Sequence, residues 1–198
     1  MILLGLSVAV TFSLSIRAAP DEQRHVAAAL LWLTTFLAAG AALDRSFAAE
    51  HECGGWDALR LYPISPAAVF LAKLAGNVVA LGALQAILVP AFAALCGLPL
   101  AEHPWALLVV VGLGNVGLAA AGTLLSALSA GLRQGAGVLT LLMFPVAVPL
   151  LLATIEATSL CGAPEIGEPW WRWVELLALF AAVFVVAGTV LVGYLMEE

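Results

Sequence analysis

Six apolar runs, at about 1–16, 26–43, 67–95, 105–130, 136–155 and 174–195, divide this chain of 198 residues. Polar or Gly/Pro-bearing breaks separate them: 17–25 with Pro20 as helix breaker, 97–104, a tight turn at 132–135, and a longer acidic loop at 158–169. An apolar run of about 20 residues crosses the roughly 30 Å hydrocarbon core of a bilayer as a helix. The pattern therefore predicts an all-α integral membrane protein with six transmembrane helices in a single domain. The first run is the exception. Its sixteen residues reach only about 24 Å as helix. No basic residue precedes Ile2 and the cleavage pattern is poor, so a truncated or late-assigned start fits better than a signal peptide.

Composition strengthens the membrane reading and removes others. The chain is 64% apolar and 10% charged, with a mean hydropathy of +1.10. Soluble domains carry about 25% charged residues. The net charge of −6 and only seven basic residues exclude a nucleic-acid surface, which needs clustered Lys and Arg. The loops after runs two and four hold Arg45, Arg60, Lys73 and Arg133, against Arg17, Arg24 and Arg172 in the loops after runs one, three and five. Counted by the positive-inside rule, this places the 44–66 segment and both termini in the cytoplasm.

The three cysteines, Cys53, Cys96 and Cys161, lack zinc or redox spacing; Cys96 and Cys161 both fall on the outer side, where they could pair, and separate thiols are the commoner expectation. No metal site is expected. His25 and His103 fall on the outer side and are read as ordinary loop histidines rather than haem ligands. Trp170, Trp171 and Trp173 around Arg172 read as an aromatic belt at the start of the sixth span. Asn77, Gln85, Asn115, Thr123, Ser126 and Ser129 lie within spans, where interhelical hydrogen bonding is their commoner use. Gly122, Ser126 and Ala130 form a small-residue stripe suited to helix packing. Pro90, Pro145 and Pro149 interrupt spans. They predict helix kinks, or for Pro145 and Pro149 a re-entrant turn lining a cavity.

The segment 43–65, LDRSFAAEHECGGWDALRLYPIS, is the long charged stretch of the chain, with Asp44, Arg45, Glu50, Glu52, Asp57 and Arg60. Gly54 and Gly55 break helix in its middle and Pro63 stops it, which predicts two short helices at about 44–53 and 56–62. Phe47 and Trp56 supply apolar anchors beside an acidic rim. Two uses are open on composition. One is a hairpin lying among lipid headgroups; the other is a plug seated in a groove of a soluble protein. Four carboxylates against two arginines suit the second better, because anionic lipid favours basic helices.

This segment, followed by FLAKLAGNVVAL, resembles the loop after the second span in the CcmB family, the membrane subunit of the haem-exporter-type ABC system of cytochrome c maturation. Asp44, Arg45, Phe47, Glu50, Glu52, Gly54, Asp57, Leu59 and Pro63 carry the likeness. A second stretch, 126–152, is similar to that family's Gly-Leu-Arg turn and following span through Gly131, Leu132, Arg133, Gly135, Pro145 and Pro149. The resemblance implies an ABC-2-type permease architecture in the bacterial inner membrane. It implies that the 44–66 loop couples to a CcmA-like ATPase, with a CcmC-like haem-handling protein and a small CcmD-like subunit as further partners. Haem is then the possible substrate, with no cofactor held by the chain itself. The chain has no GxxxxGK[ST] phosphate loop, so ATP hydrolysis is expected of a partner rather than of this subunit. Two alternatives share the fold: a non-transporting scaffold that lets ATP release haem from a partner, and a generic ABC-2 exporter.

Overall fold

The computed structural model describes residues 3, 7, 9–11, 20–52, 65–96, 102–129 and 138–197, with side-chain surroundings at 3, 7, 9–11, 22–40, 65–96, 102–128 and 143–194. Five long helices make up nearly all of it: α1 (Pro20–Glu52), α2 (Pro66–Cys96), α3 (Pro104–Ser129), α4 (Val138–Leu160) and α5 (Glu168–Glu197). Among the described residues the structure is all-helical. Four helices, α2 to α5, are long and apolar enough to cross a membrane. α1 carries charged residues at both ends of its apolar middle.

Several expected boundaries shift, and proline explains most of the shifts. Pro20 does not lie in a connecting loop; it is the first residue of α1, and Pro66 and Pro104 open α2 and α3 in the same way. Proline suits the first helical position, where its missing N–H would have no partner and its φ is already helical. Ser65 caps α2, its Oγ accepting from the Ala68 N–H at 3.3 Å. The fifth run extends as helix to Leu160 and the sixth starts at Glu168, so the expected 158–169 loop shrinks to 161–167. α4 is helical through both Pro145 and Pro149, and both side chains face outward from the bundle. The re-entrant turn is therefore not formed, and neither proline lines an interior cavity.

The charged segment also differs from expectation. Its first half is not a separate short helix, because α1 runs without a break through 44–52 to Glu52. Alanine-rich sequence with Glu50 and Glu52 favours continued helix, and no Gly or Pro intervenes before Gly54. The second predicted short helix, at 56–62, lies outside the described residues.

α3 packs against each of the other four helices, which surround it in the order α1, α2, α5, α4. The consequence shows in burial: 67% of the α3 span is buried within the bundle, against 28%, 39% and 22% for α2, α4 and α5. A central helix must admit neighbours on every side. The run Gly117, Leu118, Ala119, Ala120, Ala121, Gly122 provides that narrow waist, and all six are buried. Between lipid-exposed helices the gain comes from close packing more than from water exclusion, so small residues belong at such contacts. Gly122 and Ser126 of the small-residue stripe are buried as expected, while Ala130 lies outside the described residues.

Candidate functional site

Two polar features interrupt the apolar bundle: a set of buried hydrogen bonds among α1, α2, α3 and α4, and a polar cap at one end. Trp32 of α1 donates its indole N–H to Thr158 Oγ1 of α4 at 2.9 Å. Its ring lies against Gly114 of α3, where an added Cβ would collide with it and come within 2.9 Å of Thr154 Cγ2. Asn77 of α2 donates through Nδ2 to Thr123 Oγ1 of α3 at 2.8 Å, and Gln85 of α2 donates through Nε2 to Thr35 Oγ1 of α1 at 3.4 Å. Asn77, Gln85 and Thr123 thus make the interhelical bonds expected of them. Trp32, Thr35, Thr154 and Thr158 were not marked by the sequence. The available signal was a Trp and two Thr inside the apolar run 26–43, positions that lipid contact alone would leave to Leu or Val.

The cap gathers the α1 and α3 N-termini, the α2 and α4 C-termini and the 161–167 loop. Arg24 Nη1 donates to Gly162 O at 3.0 Å and Gln23 Nε2 to Cys96 O at 3.4 Å. The His103 ring nitrogen lies 3.2 Å from Ala163 O, and His25 Nε2 lies 4.0 Å from Glu156 Oε1. Both histidines therefore meet groups of the protein, and His25 does so from the start of α1 rather than from the loop expected for it. Among the described residues no group of three or more His, Cys, Asp or Glu is placed to hold a metal ion.

Aromatic residues ring this end, but not as a simple belt. Trp170 is buried and meets Trp105 edge-on at 5.4 Å and Trp171 at 4.9 Å. Trp105 and Trp171 remain half exposed, the position of interfacial tryptophans. Cys96 and Cys161 are buried free thiols in separate core clusters. Burial pushes the Cys161 thiol up to about 11; the Trp170 indole, which does not reach hydrogen-bond geometry with any partner, opposes this to a lesser extent.

The predicted coupling residues divide between described and undescribed parts of the chain. Asp44, Arg45, Phe47, Glu50 and Glu52 are on the last turns of α1. Gly54, Asp57 and Leu59 lie outside the described residues, as do Gly131, Leu132, Arg133 and Gly135 of the second turn. α1 has 33 residues, about 50 Å of helix at 1.5 Å per residue, well beyond a hydrocarbon core of roughly 30 Å. Its charged end is opposite the polar cap, since α1 begins at the cap. Helix α2 returns from the same end at Pro66.

α1 is thus the helix of the bundle that carries charge well beyond the apolar zone, and sequence comparison gives the family. The sequence model of the CcmB protein family matches residues 1–194. The chain belongs to the CcmB family. Relatives include heme exporter protein B of Rhodobacter capsulatus, 37% identical over 132 residues that cover 67% of this chain and 60% of that protein. Heme exporter protein B of Paracoccus denitrificans is 31% identical over 82% of this chain and 73% of its own length. The Pseudomonas aeruginosa protein of the same name is 30% identical over 85% and 78% respectively. The match to the Rhodobacter protein thus spans about three-fifths of that relative.

Proposed function

We propose that this CcmB-family chain is the membrane permease subunit of an ABC complex that exports haem, or hands it over outside the membrane, in c-type cytochrome biogenesis. Family membership along residues 1–194 supports the assignment, together with the heme exporter names of its relatives. In this reading the chain has six spans in an ABC-2-type arrangement in the bacterial inner membrane, with both termini cytoplasmic. ATP is hydrolysed by a CcmA-like partner. A CcmC-like haem-handling membrane protein and a small CcmD-like subunit are the further partners.

The observation that carries the coupling role is the continuity of α1 from the polar cap to Glu52. A rigid helix transmits displacement along its length, whereas a separate surface helix joined by a flexible link would absorb it. ATPase closure against 44–66 then moves α1 as a body. That movement reaches α4 through the Trp32–Thr158 bond and α2 through Gln85–Thr35. Gly131, Leu132, Arg133 and Gly135 form a second cytoplasmic turn in this reading.

Two experiments test the proposal. Asp44→Ala with Phe47→Ala is expected to abolish co-purification of the ATPase while the membrane subunit remains folded; a complete complex from this variant sinks the docking assignment. The purified complex in proteoliposomes is expected to couple ATP hydrolysis to haem flux. Hydrolysis without flux replaces the exporter with the scaffold that releases haem from a partner.

A further inference from the structure

Of the four helices long and apolar enough to span, α5 has the least cover from the bundle. Trp170, Val174, Leu177, Ala181, Gly188 and Val192 are its buried face. The opposite face runs through Glu175, Leu179, Ala182, Val186, Thr189 and Gly193, spaced alternately by four and three residues. That spacing holds one stripe in one direction along about 27 Å of helix. Glu175, Leu179, Ala182 and Val186 are exposed, and a Cβ on Gly193 would meet nothing within 4 Å.

Lipid accounts for Leu179 and Val186 on this face but not for Glu175. Trp171, half exposed at the interfacial level, is one turn above Glu175 on the same side, so the glutamate starts about 6 Å deeper. Its neighbours on that side, Leu176 and Leu179, are exposed and apolar. Below Arg172, Glu175 is the one exposed Asp, Glu, Lys or Arg on α2 to α5 among the described residues. Arg172 bonds Glu168 at 2.6 Å, whereas Glu175 has neither ion pair nor hydrogen bond among the described residues. An ionisable group within a span is costly and normally meets an opposite charge. The glutamate stem is also shorter than those by which Lys and Arg regain water.

We propose that this face of α5 seats a transmembrane helix of another membrane protein, one that presents a Lys or Arg to Glu175 about one turn below the outer interface. Charge decides the occupant. A second copy of this chain would pair about a two-fold axis along the membrane normal, setting Glu175 against its own equivalent at the same depth. Two carboxylates at close range disfavour one another's charge, and Glu168, Arg172 and Glu175 already carry more negative than positive charge. A cationic partner neutralises the site. Deeper along the face, Ala182, Thr189 and Gly193 let a second helix approach closely. Thr189 Oγ1 donates to Val186 O at 2.8 Å and keeps its own oxygen free to accept. The inference rests on the reading of this chain as one membrane subunit among several, but not on haem as cargo or on the ATPase contact of 44–66.

The test places a photo-reactive amino acid at Leu179 of the full chain, within its complex in native membranes. Val79, on the exposed face of α2, is the control position. Leu179 is expected to cross-link to one other membrane subunit, at a span with Lys or Arg in its outer third, both read by mass spectrometry of the product. Glu175→Gln and Glu175→Lys should lower the yield by about tenfold or more, the scale of a close interfacial charge pair. Because Glu175 is exposed, the chain's Tm and recovery of the ATPase should stay at wild-type levels. Lipid adducts alone, a cross-link to a second copy of this chain, or a partner span without a basic residue overturns the proposal. So does the same product from Val79, or a yield indifferent to Glu175→Lys. If haem flux fails while the Leu179 cross-link holds, the cargo reading falls and this one stands.

Discussion

Replacing Gly114 by Ala probes the centre of the bundle, because two effects of opposite sign compete there. In a helix interior Ala is favoured over Gly by about 0.5–1 kcal/mol. Against this, the new methyl collides with the Trp32 ring and comes within 2.9 Å of Thr154 Cγ2. Trp32 cannot swing aside without giving up its bond to Thr158, and α3 cannot shift because helices enclose it on all sides. Overpacking of this kind costs about 1–3 kcal/mol, and losing a buried hydrogen bond with its partner left unpaired costs about 1–3 kcal/mol more. The net expectation is destabilisation by about 1–3 kcal/mol, with partial relaxation limiting the sum. Thermal unfolding of the purified chain in one detergent, followed by size-exclusion recovery, reads this as a Tm several degrees below wild type. Gly82→Ala is the control, since nothing lies within 4 Å of a Cβ there, and it should leave Tm unchanged or slightly raised. Trp32→Phe removes the outer ring atoms that the methyl meets. The double variant Trp32→Phe/Gly114→Ala should therefore be more stable than the two single losses predict. A Tm for Gly114→Ala equal to that of Gly82→Ala refutes the packing argument.

Gly188→Ala should destabilise in the same assay, because its Cβ would enter the Phe70 ring across the α2–α5 contact, and Phe70→Leu should relieve it. Thr123→Val removes the acceptor of the Asn77 bond and should cost about 0.6 kcal/mol, the average for such bonds within membranes; no measurable loss means that the bond contributes nothing net. Cys161 should resist maleimide in the folded protein at pH 8, since burial holds its thiol near 11 rather than 9.0. The folded state binds that proton more tightly than the unfolded chain, so this contribution is intact below pH 9 and declines as pH rises towards about 11; rapid labelling at pH 8 contradicts the buried placement. His25→Ala with His103→Ala should leave c-type cytochrome levels intact by haem staining, because both rings serve local contacts; loss of the cytochromes would make haem ligation the better account.

Chain chemistry alone determined that this is a helical membrane protein, because a backbone in hydrocarbon must satisfy its own hydrogen bonds and apolar runs of this length do so as helices. The charged stretch was equally legible, since six ionisable residues between two apolar runs cannot enter the bilayer at acceptable cost. The interior hydrogen bonds of Asn77 and Gln85 were also foreseen, as polar groups in spans must find partners. What the linear pattern did not reveal was which helix stands at the centre. Leu, Ala, Val and Gly are equally compatible with lipid and with a helix neighbour, so apolar periodicity weakens when both surroundings are apolar. Tertiary packing made α3 the hub, gave Gly114 and Gly188 their roles, and joined Trp32 to Thr158 across 126 positions of chain. The first half of the charged stretch became the end of α1 for a local reason, since its Ala and Glu residues favour helix and no Gly or Pro intervenes before Gly54. Local sequence decides where helix is permitted, and only the assembled bundle decides which helix stands at its centre.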